Sequence, residues 1–156
     1  IKAEVGRDFT LISNGSVVKL YGKDSHKIES GIPQQFTDFK TMWSSVHFLN
    51  KDQIISVGNN TYSQFLQSHE LKIVSFEVGS EHGLLRSSNK VYAWGWGEHG
   101  NCGKKKADST AFDLSLLFEA PSGESVVKLF GGCATRWIIT KTDTWKSKMK
   151  IHKGMS

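Results

Sequence analysis

The feature that most constrains the fold of this chain is an internal repeat. Three strand-like segments, residues 17–22, 54–58 and 91–95, each end on a glycine, and these glycines lie 36 and 37 residues apart. Self-similarity at a fixed period is typical of architectures built from repeated units. The sequence therefore predicts a repeat fold rather than a single irregular core.

Each copy also has a recognisable start. Residues 78–84 read VGSEHGL, residues 5–11 read VGRDFTL, and residues 130–135 (FGGCAT) begin in the same way. Residues 42–48 fill the slot between them, with Trp43 in the place of glycine. In the three copies that have a closing glycine, the start precedes it by 15 or 16 residues, a constant offset that indicates one structural unit.

Within a unit the pattern predicts a strand, a turn and a strand. Asn14-Gly15 between two apolar runs is a strong β-hairpin signal, and residues 48–55 and 84–94 follow the same plan. Residues 113–119 are the best candidate for a helix. Because two strands cannot bury both of their faces, the units must stack or fan, and we predict an all-β partial β-propeller.

The unit resembles the repeat of the regulator-of-chromosome-condensation propellers. Their blades carry a Gly-x-x-His start, a Val-Tyr-x-Trp-Gly strand and a following Gly-x-x-Gly. The copy that matches best does so at Gly79, His82, Val91, Tyr92, Trp94, Gly95, Gly100 and Gly103. The resemblance implies structural roles for these residues, with Trp94 in the blade core and the His82 imidazole bonded to neighbouring backbone.

Residues 79–83, 92–103 and 130–138 resemble more specifically the alpha-tubulin-suppressor branch of that family. The similarity covers residues 5 to 140 and implies the C-terminal blades of a seven-bladed propeller. It also implies a non-catalytic protein of the cytoplasm and nucleus, whose partner is a small zinc-binding diphthamide protein. Together the two would support Elongator-dependent modification of the wobble uridine of tRNA and diphthamide biosynthesis.

The chain departs from the family pattern near its end. Residues 137–139 lack a following strand of their own, which in a complete propeller would come from the N-terminus. We therefore expect a C-terminal fragment in which residues 1–140 form about three blades and the start of a fourth. Residues 141–156 are expected to form a disordered basic tail.

The charge distribution limits the classes of partner. The net charge is +5, and five lysines against one aspartate give +4 within residues 141–156, so the rest of the chain is nearly neutral. We expect a solvated tail and no direct nucleic-acid contact. No apolar stretch is long enough for a membrane span, and two cysteines without an apolar leader favour a reducing compartment.

The glycine motif at residues 95–100 fits G-x-G-x-x-G but does not predict a nucleotide site. Residues 101–106 make a poor first helical turn, and a dinucleotide site needs a helix N-terminus there. A tight turn between blades explains the glycines, so we expect no cofactor.

Metal binding and catalysis are also disfavoured by the spacing of the reactive residues. Cys102, Cys133, His82 and His99 form neither a C-x-x-C nor an H-x-x-H pair, so we expect no metal site. Cys133 is predicted to be a small buried residue. No nucleophile lies at a recognisable spacing from a base, and we expect no enzyme activity.

Large side chains that the repeat does not require are the candidates for partner binding. Loops on a rigid scaffold commonly carry function, and Trp and Arg are frequent interface anchors. The candidates are Trp96, Glu98, His99, Asn101, Trp43, Arg136 and Trp137. Packing within the fold is the competing interpretation for each of them.

Residues 104–123 interrupt the period and are either a docking loop for a partner or a long connection between blades. Two other functions remain open beside the adaptor. One is a guanine-nucleotide exchange factor for a small nuclear GTPase, as in the founding member of the wider family. The other is an interaction propeller linked to tubulin.

Overall fold

The computed structural model of the protein describes residues 1–67, 69–98, 102–103, 111–144 and 148–154. In this part of the chain, 13 β-strands form four antiparallel sheets, and the helical content is a short 3-10 turn at Glu29–Gly31. No helix within these ranges is long and apolar enough to cross a membrane. The predicted all-β class is confirmed.

The sheets follow one another along the chain, and each is a meander in which successive strands pair. The first sheet contains β1 (Lys2–Val5), β2 (Phe9–Ser13) and β3 (Val18–Gly22), and the second contains β4 (Asp38–Thr41), β5 (Ser45–Asn50) and β6 (Gln53–Gly58). The third contains β7 (Ser75–Val78), β8 (His82–Ser87), β9 (Lys90–Trp96) and β10 (Ala111–Glu119), and the fourth contains β11 (Glu124–Gly131), β12 (Arg136–Thr142) and β13 (Met149–Gly154). The predicted hairpins are therefore present at all three places.

The first strands of the four sheets lie next to one another. Strand β1 contacts β4, β4 contacts β7, and β7 contacts β11. Lys2 pairs with Asp38, and Lys40 Nζ lies 3.0 Å from the Glu77 carboxylate, so each ion pair joins residues one repeat apart. The sheets thus fan out as blades whose first strands share one side.

The hydrophobic core is divided into layers between successive blades. Apolar side chains alternate along the strands, so each blade has one face for each neighbour. Between the first and second blades lie Phe9, Leu11, Phe39 and Phe48; between the second and third lie Met42, Phe76, Leu85 and Trp94; between the third and fourth lie Leu84, Val91, Leu129 and Ile138. Burial in this fold therefore depends on the stacking of neighbouring units.

The glycine that closes each repeat is required by the backbone. Gly58 has φ +106° and Gly95 has φ +90°, a region that favours glycine. A Cβ on Gly58 would lie 2.6 Å from the Ser44 carbonyl oxygen, and one on Gly95 would lie 2.6 Å from that of Glu81. The recurrence of glycine at this position thus comes from the close approach of two backbone segments.

We expect Gly58→Ala to lower the free energy of unfolding by about 1–3 kcal/mol, because it adds both backbone strain and a backbone clash. Gly15→Ala is the matched control, since Gly15 has φ +95° but no atom within 4 Å of the added Cβ. That control should lose only about 1 kcal/mol, the strain alone. Urea unfolding of both variants measures the difference, and equal losses would refute the clash.

The sequence predicted a helix at residues 113–119. This prediction is wrong, because these residues lie in strand β10. This strand pairs with β9 along its length, with two register shifts, and makes the third blade four-stranded. Leu114 packs against one core layer and Leu117 against the next. The hydrogen-bonding edge of β9 and these two layers override a weak local helix signal. The interruption of the period thus contains a fourth strand, while residues 104–110 lie outside the described ranges.

The basic tail also differs from the prediction, because Met149–Gly154 forms β13 and pairs with β12. Lys150 pairs with the Glu124 carboxylate, and the His152 ring lies 4.8 Å from that of Phe118. The resemblance implied that a strand from the N-terminus would pair with β12. In the structure Met149–Gly154 pairs with β12 instead. A run of lysines can form an edge strand when one of them has a carboxylate partner and the others face solvent.

Candidate functional site

The Gly-x-x-His start of each repeat is the tight turn between the first and second strands of a blade. In every blade a backbone N–H donates to the carbonyl three residues later, at 2.8–2.9 Å. The four donors are Gly6, Met42, Gly79 and Gly132, and their acceptors are Phe9, Ser45, His82 and Thr135.

These bonds correct the register of two repeats. Met42, and not Trp43, occupies the glycine position of the second blade, and Gly132 takes that position in the fourth. Ser45 has a small side chain where His82 stands in the third blade, so the turn of the second blade accommodates a side chain on Met42. Trp43 instead corresponds to Ser80 and Cys133.

The four turns are joined to one another by backbone hydrogen bonds. Arg7 N–H donates to the Trp43 carbonyl at 2.9 Å, Trp43 N–H to Ser80 at 2.7 Å, and Ser80 N–H to Cys133 at 3.2 Å. We call the end of the blades that carries these turns the turn face. The bonds place equivalent residues of successive repeats side by side, so side chains far apart in sequence meet there.

A cavity of about 210 Å³ opens on the turn face. Its rim includes Trp43, a residue that is 44% exposed, and Trp96, whose ring stacks on Tyr62 with centroids 5.0 Å apart and planes 18° apart. The lining residues are Trp43, Ser80, Glu81, His82, Trp96, Cys133 and Ala134. The structure therefore brings together two of the predicted partner-binding residues.

One of the lining residues, Glu81, has a buried side chain. Glu81 Oε1 accepts a hydrogen bond from Ser44 Oγ at 2.9 Å, and Oε2 accepts one from Gln64 Nε2 at 2.9 Å. Gln64 is itself fully buried, and its backbone carbonyl accepts a hydrogen bond from Trp94 Nε1 at 2.8 Å. The ion pairs described in the structure do not include Glu81. The hydrogen-bond partners of the Glu81 carboxyl group are thus neutral side chains.

Two histidines are buried in the same region of the blades. Burial lowers the pKa of His82 to about 4; a hydrogen bond to the Thr135 backbone opposes this shift and the charge of Arg136 adds to it. Burial lowers the pKa of His47 to about 3, and its Nε2 and Nδ1 lie 3.0 and 2.9 Å from the hydroxyls of Ser45 and Ser56. Both imidazoles are neutral at pH 7.

The other predicted partner-binding residues do not line the cavity. Glu98 is exposed just after β9, and His99 and Asn101, like the repeat residue Gly100, lie outside the described residues. Arg136 and Trp137 are on β12, where Arg136 packs beside Gly154 and Lys153 Nζ lies 4.9 Å from the centre of the Trp137 ring.

The cysteines have different environments, and the prediction for one of them is wrong. Cys133 is exposed, because it lies in the turn after β11 rather than within the strand. Cys102 is buried, its Sγ lies 3.3 Å from the Trp94 carbonyl oxygen, and burial raises the pKa of its thiol to about 12. Within the described ranges, no three His, Cys, Asp or Glu side chains are grouped as metal ligands.

The sequence did not predict four of the lining residues, Ser80, Glu81, Cys133 and Ala134. It also did not predict Tyr62, which stacks on Trp96, or Gln64, which donates to Glu81. The available signal was the aligned turn position, which places Ser80 and Cys133 beside Trp43 once the register is right.

Comparison with known proteins identifies the fold. No protein-family model and no curated protein matches the chain. Among solved structures, human WBSCR16 aligns with a TM-score of 0.69 and 19% identity, over 90% of this chain and 47% of that one. Prp20, the yeast RCC1, in complex with Kap60 aligns with a TM-score of 0.66 and 14% identity, over 90% and 42%. The ectodomain of the Arabidopsis thaliana receptor kinase ACR4 aligns with a TM-score of 0.58 and 13% identity, over 95% of this chain and 49% of that one.

These alignments agree with the succession of blades described above. The chain spans less than half the length of each of these three solved chains. Together they confirm the predicted architecture: the chain has the fold of consecutive blades of a β-propeller of the RCC1 type.

Proposed function

We propose that the chain is a non-catalytic, protein-binding propeller of the cytoplasm and nucleus. It would support Elongator-dependent modification of the wobble uridine of tRNA and diphthamide biosynthesis, through a small zinc-binding diphthamide protein. The observation that carries this proposal is the turn-face cavity with Trp43 and Trp96 at its rim. Tryptophans beside a cavity are common anchors of protein interfaces.

The three segments that resemble the alpha-tubulin-suppressor branch converge on this cavity. Ser80, Glu81 and His82 come from residues 79–83, and Trp96 comes from residues 92–103. Cys133 and Ala134 come from residues 130–138. Together they supply every lining residue except Trp43. The sequence that is most specific to the branch therefore surrounds one surface feature, which supports a binding role shared with that branch.

We expect Trp43→Ala to weaken binding of the small zinc-binding diphthamide protein at least about tenfold, or about 1.4 kcal/mol. Trp43 contributes exposed side-chain area to the rim, while its backbone bonds are retained in the variant. Calorimetric titration of the chain with that protein measures the change.

Trp137→Ala is the matched control, because Trp137 does not line the cavity, and its affinity should stay within about twofold of the unaltered chain. Failure of the unaltered chain to bind would refute the proposed partner. Equal weakening by both substitutions would refute the placement of the interface.

A second candidate is a guanine-nucleotide exchange factor. It is favoured by the similarity to Prp20p of Saccharomyces cerevisiae, a protein that binds Gsp1p and histones, with a TM-score of 0.65 and 15% identity over 90% of this chain and 44% of that one. This function predicts faster nucleotide release from a small nuclear GTPase in the presence of the chain. An unchanged release rate at micromolar concentrations would exclude it.

A further inference from the structure

We propose that the turn-face cavity receives one cationic side chain of a protein partner, arginine in preference to lysine. The side chain would lie between Trp43 and Trp96 with its charge directed toward Glu81. The inference rests on the proposed function in one respect, which is that the ligand belongs to a protein. It adds the chemistry by which the partner is recognised.

The charge of the cavity favours a cation. Glu81 is 7% exposed, and its two oxygens are held by Ser44 and Gln64, which are neutral donors. A buried carboxylate without a cationic partner is costly, so a positive group that enters from solvent would gain a strong interaction. His82 does not supply that charge, since burial keeps its imidazole neutral at pH 7.

The charge of Glu81 argues against an anion or an apolar side chain as the occupant of the cavity. An anion would be repelled by Glu81, and an apolar side chain would remove water from the carboxylate without replacing it. Arg136 is the cation of this chain that acts on His82, but it lies on β12 beside Gly154 and does not line the cavity. Among the described lining residues, Glu81 is therefore the charged one.

The aromatic side chains favour a planar cation. Backbone bonds to Arg7 and Ser80 fix the main chain of Trp43 at the rim. The ring of Trp96 is fixed by its stacking on Tyr62, so this indole does not have to be ordered when a ligand binds. Cations are attracted to the faces of indole rings, and the flat guanidinium group stacks on them. Ala134 and the ring edges would contact the methylene groups of the same side chain.

The size of the cavity suits a single side chain. Its volume of about 210 Å³ would hold one arginine or lysine side chain but not a folded segment of a partner. The surface around Trp43 is therefore expected to contact the remainder of the partner, with the cationic side chain inserted as an anchor.

The test compares two probes of nearly the same shape, N-acetylarginine amide and N-acetylcitrulline amide, which differ in the positive charge. Indole N–H signals of the 156-residue chain are followed by NMR during titration. The arginine compound is expected to shift the Trp43 and Trp96 signals saturably, at a concentration at least about tenfold lower than the citrulline compound, and to leave Trp137 unchanged. Equal effects of the two probes, or no shift at Trp43 and Trp96, would overturn the proposal.

Glu81→Gln removes the charge but keeps an oxygen and a nitrogen for hydrogen bonding. It should weaken arginine binding at least about tenfold, whereas Glu77→Gln, which breaks the ion pair with Lys40 outside the cavity lining, should not. Trp43→Ala provides a second variant if the Glu81 change prevents folding, and it should also abolish the shift of Trp96. Retained binding in either cavity variant would overturn the proposal.

The probe experiment is independent of the zinc-binding protein. Arginine binding without binding of that protein would refute the proposed partner and leave the cation site in place. Binding of that protein without a preference for arginine over citrulline would refute the cation site alone.

Discussion

Replacing Trp94 with alanine is expected to lower the free energy of unfolding by about 3–5 kcal/mol. Trp94 is 1% exposed and packs in the layer between the second and third blades. Its indole N–H also donates to the Gln64 carbonyl, which the substitution would leave without this buried donor. The loss thus combines a large cavity with a broken hydrogen bond.

The same substitution at Trp43 is the matched control, because this residue is 44% exposed and lies at the rim of the turn-face cavity. Trp43→Ala is expected to change the free energy of unfolding by less than about 1 kcal/mol. Urea unfolding of the two variants measures both effects. Similar losses at the two positions would contradict the assignment of Trp94 to the core and of Trp43 to the surface.

Acidification from pH 6.5 to pH 5 is expected to destabilise the protein through His47 and His82. Their pKa values fall from 6.5 to about 3 and about 4 in the folded chain, so in this window the unfolded chain binds protons that the folded chain does not. Stability is therefore lost as pH falls, at up to about 1.4 kcal/mol per pH unit for each histidine once the unfolded state is fully protonated.

Urea unfolding at several pH values between 6.5 and 5 measures this slope. The window lies above the range in which Glu124 contributes, since Lys150 and then the Thr140 hydroxyl hold the pKa of that carboxyl below its usual value. His47→Gln removes one titrating group and should reduce the slope by about half. A stability independent of pH over this range would contradict the burial of both imidazoles.

The sequence predicted the blades because their signals are local. Asn14-Gly15 specifies a hairpin, and the closing glycines mark the place where each third strand returns to the turn. The strands that it missed depend on distant partners. β1, β4 and β7 have four residues each, too few for a visible alternation, and β10 and β13 form on edges that exist only after β9 and β12 have folded.

The candidate site was predicted only in part for the same reason. Trp43 and Trp96 stood out because the repeat does not require them. Glu81 and Cys133 have no such signal, since their importance comes from turns that meet in space. The misplaced register of the second repeat hid the equivalence of Trp43 with Ser80, which the hydrogen bonds between turns make evident.

Hydrogen exchange of the chain, with and without the small zinc-binding diphthamide protein, tests the central claim most directly. That claim is that the turn face is the binding surface. We expect slower exchange on binding in residues 42–44, 80–82 and 132–135, and unchanged exchange in the hairpins at residues 14–17 and 88–89, at the opposite end of the strands. Protection of those hairpins, or binding without protection of the turns, would contradict the account.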